Sequence, residues 1–276
     1  MIAYPGREGA HSAAACAKLF PGEEPLSLPS FRAVAEAVVA REVEYGVLPI
    51  ESSLVGPVTE THDLLWDSPL SIVGQAVLPI RHQLLAATVL PAEAVRVIYS
   101  HPVALDQCRD LLARLPNATV IAMPTTADAA MHVAESKADG EAAIASERAA
   151  ELYGLSVLEA DVGDHPEAYT RFVSIATWTR VDRNEMPFRT AFSFVTDHRP
   201  GALHRALEPF ARHGIDLLQL VSRPIPRSAW RYRFDAVLTG HPLDHEVHAT
   251  LAEVRAMTRR LVVFGSYPAE SGKPRA

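Results

Sequence analysis

Thr170-Arg171-Phe172 stands in the run from Glu167 to Ile175. It places a hydroxyl, a permanent cation and an aromatic ring side by side where a Gly- and Pro-punctuated loop enters an apolar strand. Such groups can hold a small anionic ring and hydrogen-bond a departing oxygen, although the tripeptide alone also fits an edge strand with one exposed arginine. Other polar residues mark similar handovers: Gly6 to Ser12 before a helical stretch, Pro49 to Gly56 after a strand, Ser100-His101-Pro102 after another, then Thr125 and Ser146. Unpaired N–H groups and the dipole at a helix N-terminus favour anions, and open α/β sheets bind ligands beyond the carboxyl ends of their strands. Taken singly, Ser12, Thr125 and Ser146 read as ordinary N-caps. Glu51, directly after Ile50 at the end of a buried strand, needs a partner, a ligand or a proton.

Other constellations are weaker. Gly6 and Gly9 are too close for a dinucleotide fingerprint and stand at the chain start rather than after a strong strand. His245 and His248 share a helix face without further ligands, the pattern of a solvated face and not of a metal site. No Gly-x-Ser-x-Gly elbow supports a Ser-His-Asp triad. His11, His82 and His101 read as hydrogen-bonding loop residues, and Cys16 and Cys108, within helical patterns, as buried free thiols. A formal net charge of −7 argues against nucleic acid or an anionic membrane surface as the main partner. The 48% apolar and 21% charged content is that of a soluble globular protein. No apolar run approaches the roughly 20 residues that cross a bilayer, and the N-terminus lacks a basic region followed by an apolar stretch. The expected location is the cytoplasm.

The elements that must position these residues follow an α/β rhythm. Strands are expected at 43–50, 71–78, 95–99, 119–123 and 141–145, and helices at 11–20, 31–40, 104–115, 126–138 and 147–153. This alternation is the signature of βαβ units and a largely parallel sheet. Residues 179–189 read as a polar linker. Beyond it come a strand at 190–196, a helix at 201–213, strands at 215–223 and 230–239, a helix at 244–257 and a strand at 261–265. That βαββαβ order is a ferredoxin-like module. The expected domains are residues 1–180 and 188–270, and the tail from Ser271 reads as disordered.

Taken in order, six blocks resemble those of the prephenate dehydratase family: Gly6-Arg-Glu-Gly-Ala-His-Ser12, Leu48-Pro-Ile-Glu-Ser-Ser-Leu-Val-Gly56, Ile80-Arg-His-Gln-Leu84, Ser100-His-Pro-Val-Ala-Leu-Asp-Gln-Cys108, Ala142 to Ser146 with Tyr153-Gly-Leu155, and Tyr169-Thr-Arg-Phe172. The second module is similar to the family's regulatory ACT domain through Gly201-Ala-Leu203, Ser222-Arg-Pro224 and Trp230-Arg-Tyr-Arg-Phe234. Each block is weak alone; their shared order over nearly the whole chain carries the resemblance. It implies a catalytic domain of two α/β subdomains around a cleft, periplasmic-binding-protein-like (type II). It also implies an ACT domain that binds phenylalanine and helps form a homodimer or homotetramer. The implied reaction converts prephenate to phenylpyruvate, water and carbon dioxide in phenylalanine biosynthesis, with no metal or organic cofactor.

In that resemblance Thr170 hydrogen-bonds or protonates the leaving hydroxyl; a threonine is a weak acid, which favours a relayed proton or a strong hydrogen bond. Arg171 pairs with a carboxylate and Phe172 packs the loop or lines the ring pocket. Glu51 and Ser53 complete the catalytic set. Gly9, Ala10, His11, Ser12, Ser52, Ser100 and His101 bind substrate, and Gly201, Ala202, Leu203, Ser222, Arg223 and Pro224 bind the effector. The chain departs from the family at Ser52 and Ala168, where Asn is usual, and at Val221 and Asp216, where Glu and Asn are frequent. A lost transition-state donor costs about a hundredfold or more in rate. Two other readings therefore stay open: a paralogue with a different outcome, such as decarboxylation without aromatisation, and a non-catalytic binder of aromatic acids.

Overall fold

The computed structural model describes residues 1–179, 187–225, 228 and 231–269. The expectations for Trp230 and for the tail lie outside those residues, as does most of the linker. In chain order the first part comprises β1 (Ile2–Pro5), α1 (His11–Leu19), β2 (Leu26–Leu28), α2 (Phe31–Val39), β3 (Tyr45–Ser52), β4 (Gly56–Pro57), α3 (Thr59–Asp67), β5 (Ser71–Pro79) and β6 (Gln83–Ala86). Then follow β7 (Val97–Ser100), α4 (Pro102–Asp106), α5 (Arg109–Arg114), β8 (Thr119–Ala122), α6 (Thr126–Ser136), β9 (Glu141–Ala145), α7 (Glu147–Tyr153), β10 (Ser156–Glu159) and β11 (Tyr169–Ala176). The second part is β12 (Phe188–Val195), α8 (Ala202–Arg212), β13 (Leu217–Pro224), β14 (Tyr232–Thr239), α9 (His245–Met257) and β15 (Arg260–Pro268).

One sheet has the order β2-β1-β3-β11-β5, with β4 on β3, and a second the order β10-β6-β9-β7-β8. These are the two α/β sheets of a two-subdomain, periplasmic-binding-protein-like region. The expected largely parallel sheet is in fact mixed. β7 runs parallel to β8 and β9, but β6 is antiparallel to β9 and β10 antiparallel to β6. Both β6 and β10 are short runs whose partners lie far along the chain, so no local period announces them. A second correction concerns the start of the chain: Ile2–Pro5 is a wholly buried strand, so the Gly6 turn does follow one.

The second sheet shows how alternation builds two half-cores. Leu84, Ile98, Ala142 and Ile144 face Cys108 and Leu111 on one side. Their neighbours Leu85, Tyr99, Ala143 and Ala145 face Ala129, Ala130, Val133 and Ala149 of α6 and α7 on the other. The expected helix 104–115 is broken at Gln107-Cys108. There the Asp164 carboxylate accepts the N–H groups of Arg109 and Asp110 at 2.9 and 3.0 Å and starts α5 afresh. Both cysteines are buried free thiols, and burial pushes each up to about 12. Among the described residues no helix is long and apolar enough to cross a membrane.

The chain divides into two compact units. One holds Met1–Val34, Val47–Pro57 and Val77–Phe172; the other holds Ala35–Gly46, Val58–Ala76 and the described residues from Val173 onward. In the second unit β12, β13, β14 and β15 form a sheet of order β13-β14-β12-β15 with antiparallel pairs. Its βαββαβ order is the expected ferredoxin-like arrangement. Phe192, Phe194, Ala236 and Leu238 pack one sheet face against Ala206 and Phe210 of α8 and Val247, Leu251 and Val254 of α9. The β12–β15 register shifts so that Ala191 pairs with Gly265 but Phe192 with Val263. At that irregularity Gly265 has φ +142°, and an added Cβ would lie 2.2 Å from the Ile72 carbonyl oxygen. Gly265→Ala is expected to cost about 3 kcal/mol or more, read as a lower urea midpoint at unchanged m-value.

Candidate functional site

β3 and β11 are neighbours in their sheet, so the carboxyl end of β3 lies beside the entry of β11. The chain turns back after β3, pairing Glu51 with Pro57 and Ser52 with Gly56. Gly56 supplies the positive φ of +87° that this turn requires. The Ser52 hydroxyl accepts the N–H groups of Leu54 and Val55 at 3.3 and 3.4 Å and so shapes the turn itself. Ser53 reaches across to the next strand. Its N–H donates to the Tyr169 carbonyl at 2.8 Å, while its hydroxyl accepts the Tyr169 N–H at 2.9 Å and donates to the Glu167 carbonyl at 3.4 Å. Arg171 Nε donates to Glu51 Oε2 at 3.1 Å, giving Glu51 the partner that its position demanded. Phe172 is buried and packs the strand. Thr170 is half-buried, and its hydroxyl makes no hydrogen bond to any described residue.

The turn at Gly6 to Ala10 is a second polar centre of the same unit. Gly6 and Gly9 both take positive φ, +97° and +89°. The N-cap of α1 is Ala10, which offers no side chain, and Ser12 is the second helical residue rather than a cap. Among the described residues the N–H groups of His11 and Ser12 therefore have no acceptor, a geometry that suits an anion. Neighbouring helix starts hold the turn in place. Ser146 caps α7 by accepting the Ala149 N–H and donates to the Gly9 carbonyl at 2.8 Å. Tyr153 donates to the Glu8 carbonyl at 2.9 Å. Arg7 pairs with Asp128, whose N–H and carboxylate are both bonded by Thr125, the cap of α6.

Two expectations change here. Ser100 is fully buried and donates to the Ile144 carbonyl at 2.6 Å, so its hydroxyl braces β7 and is not available to a substrate. His11 opens a helix instead of lying in a loop. His101 caps α4, its Nδ1 accepting the Val103 N–H at 3.2 Å, and burial pushes its pKa down. The neutral ring then carries its proton on Nε2. His11 and His82 meet edge to face with ring centroids 6.1 Å apart, and His82 Nε2 bonds Gln107 Oε1 at 2.8 Å. Although part of His11 is exposed, its Nε2 is sealed from solvent. Burial, then the neighbouring His82, pushes its pKa down to about 4; burial also lowers that of His82.

In the second unit the expected effector residues separate. Gly201, at φ +75°, is the N-cap of α8, and Ala202 and Leu203 line a cavity of about 650 Å³ with Phe234, Arg199, Arg231 and Arg259. On β13, Ser222 and Pro224 are exposed while Arg223 points to the opposite face. Arg223 is a correction: its guanidinium donates to the Thr59 carbonyl at 3.0 Å and to Asp63 at 3.3 Å, which engages it within the unit. Arg233 and Asp235, missed in the sequence reading, join it there. The available signal was two opposite charges two residues apart in a strand, hence on one face.

The sequence signature described as prephenate dehydratase matches residues 2–179. Arogenate dehydratase 2 of Petunia hybrida is 35% identical over 285 residues, covering 98% of this chain and 72% of the relative. The solved structure of prephenate dehydratase from Arthrobacter aurescens in complex with L-Phe is similar at TM-score 0.88 and 30% identity, over 100% of this chain and 92% of that one. GqqA, described as a novel type of quorum quenching acylase, is similar at TM-score 0.87 and 32% identity over 98% of both chains.

The histidine pair sets an acid limit on stability. His11 titrates near 4 when folded and 6.5 when unfolded, so the unfolded chain takes up the proton first as pH falls. Stability is lost between those values, with about 2 kcal/mol gone at pH 5 and the full loss in place below the folded value. His82 adds in the same direction. Urea midpoints at pH 7 and pH 5 should fall in the wild type and fall much less in His11→Gln.

Proposed function

The chain belongs to the prephenate dehydratase family, and from that membership we propose that it converts prephenate to phenylpyruvate, water and carbon dioxide. The carrying observation is the Thr170 hydroxyl, not bonded to any described residue and flanked by the Arg171–Glu51 pair at the entry of β11. In the reaction the bond from the ring to the departing carboxylate carbon breaks, and its electron pair enters the ring. The ring C–O bond breaks in turn, and the oxygen leaves with a proton as water. Aromaticity drives both cleavages, so the protein needs to hold two carboxylates and stabilise a departing oxygen. Thr170 donates the hydrogen bond to that oxygen, with the proton relayed through its hydroxyl.

The other residues hold and orient. Arg171, fixed by Glu51, supplies a cation to one carboxylate. The N–H groups of His11 and Ser12 at the uncapped start of α1 receive an anion without a second cation. Ser53 fixes the loop before Thr170, Ser52 and Gly56 set the turn that carries Glu51, and the buried Phe172 ring anchors the strand. One fold can host several chemistries, as the structurally similar acylase illustrates, so this reading rests on the site. Arogenate loses the same two ring groups, and the Petunia relative bears its name, so it is the second substrate to test.

Residues 1–180 are the catalytic domain and 188–270 an ACT domain in this reading. Phenylalanine binds beside Gly201, Ala202 and Leu203, in keeping with the L-Phe complex of the Arthrobacter relative. The chain works as a homo-oligomer in the cytoplasm.

Incubation of the purified chain with prephenate or arogenate, followed by identification of the product, tests the reaction. Phenylpyruvate is expected from prephenate, and a retained dihydro ring would redirect the reading to a different outcome. Thr170→Val is expected to lower kcat about a hundredfold or more with KM little changed. Turnover unchanged in that variant would remove the role given to Thr170. Glu51→Gln removes the carboxylate charge that faces Arg171 and should raise KM about tenfold, the scale of one charged hydrogen bond.

A further inference from the structure

Three strands of the second unit each send one arginine to the nine-residue helix α3. Arg223 of β13 donates to the Thr59 carbonyl in its first turn at 3.0 Å. Arg233 of β14 donates to Asp63 at 2.6 Å, and Arg223 approaches the same carboxylate at 3.2 Å. Arg260 of β15 lies 3.9 Å from the Trp66 ring centroid and donates to the Trp66 carbonyl at 3.0 Å, a cation at the helix C-terminus. The register places Arg223 directly opposite Arg233, where two like charges repel. Two carboxylates relieve this. Asp235, 3% exposed, lies 3.2 Å from Arg233 Nε and accepts the Ser193 hydroxyl at 2.7 Å. Asp63, from the helix side, bridges both arginines.

The position of α3 in the chain gives this cluster its meaning. Only Val58 separates α3 from β4, and the two residues of β4 pair with Glu51 and Ser52. Glu51 in turn holds Arg171. Arg223 sits between Ser222 and Pro224, whose exposed side chains lie on the other face of β13. Ser222 and Pro224 pair with Phe234 and Tyr232, which line the cavity beside Ala202 and Leu203, so a shift at the cavity carried to β13 changes the bonds of Arg223 to Thr59 and Asp63, and α3 is covalently continuous with the turn that carries Glu51. We propose that Asp63 is a positioning residue of the regulatory response, coupling β13 through Arg223 to α3 and thence to Glu51. This rests on the catalytic and effector roles proposed above. Coupling requires contacts that differ between two states, and the Asp63 bridge is a contact that β13 can make or release.

Asp63 suits a test because its side chain is 40% exposed and Arg233 keeps Asp235 as a partner, so Asp63→Asn leaves no buried unpaired carboxylate. In the full chain, prephenate turnover and L-phenylalanine binding by calorimetry are measured for the wild type, Asp63→Asn and Asp63→Glu. Asp63→Asn is expected to bind L-phenylalanine within threefold of wild type and to keep its basal kcat, while the phenylalanine-induced change in KM or kcat shrinks at least tenfold. Asp63→Glu should recover at least half of the response. A wild-type response in Asp63→Asn overturns the proposal, as does an active wild-type chain indifferent to L-phenylalanine. A wild-type chain that turns over neither prephenate nor arogenate overturns the functional reading instead. Hydrogen exchange of residues 51–57 then decides: phenylalanine-dependent protection that disappears in Asp63→Asn supports the coupling, and protection that persists, or is absent from the wild type, overturns it. Should Asp63→Asn not fold, a full wild-type response in Asp63→Asn's partner variant Asp63→Ala, judged by the same exchange, overturns it.

Discussion

The Ser53 hydroxyl is the joint on which the candidate site depends. One oxygen accepts the Tyr169 N–H and donates to the Glu167 carbonyl, and the Ser53 N–H meets the Tyr169 carbonyl. Three hydrogen bonds meet in this exposed knot, each worth about 0.5–1.5 kcal/mol net, and together they give the entry of β11 one register. Register then decides faces, because successive strand residues point to opposite sides. Thr170 and Phe172 fall on one side and Arg171 on the other, toward Glu51. A slip of one residue would exchange the two sides, turning the hydroxyl away and parting Arg171 from Glu51. Ser52, next in the chain, works inside its own turn and leaves the crossing to Ser53.

Local periodicity made much of the fold legible. β9 and α7 begin and end at the residues expected, because alanine-rich apolar runs bounded by Gly140, Ser146 and Gly154 carry their own punctuation. The βαββαβ order of the second unit was equally plain. What escaped reading was set by distant groups. Asp164 breaks the helix expected over 104–115 from far along the chain. Ser100 looks like a loop residue in sequence, yet β7 extends one residue further than expected and takes the hydroxyl inside. Arg223 lies in a motif whose neighbours are exposed, and only the pairing of β13 with β14 shows that its face differs from theirs. In the site, the Thr170-Arg171-Phe172 run and the need of Glu51 for a partner were visible from residue chemistry. The identity of that partner was not.

Helix α3 is the clearest case of an element hidden from pattern reading. Its sequence, Thr59 to Asp67, carries three apolar residues, and Leu64, Leu65 and Trp66 in a single run do not form a persistent stripe. Beside the burial of Leu65 and Trp66, its fixing comes from Asp63, which pairs with Arg223 and Arg233, and from Arg260 over the Trp66 ring. Buried ion pairs contribute little net stability because desolvation offsets their attraction, but they tolerate few alternative arrangements. That explains why α3 groups with the second unit despite lying in the first third of the chain.

The attachment of α3 also has a mechanical side. Arg223 holds its first turn, Arg223 and Arg233 its middle through Asp63, and Arg260 its last carbonyl-bearing turn at Trp66. A nine-residue helix is about 14 Å long. A beam that short, gripped at both ends and at its centre, has no slack in which to bow or twist. Any push it receives travels along its length as a rigid displacement, and the compliance of the assembly is left to the peptide links at its two ends.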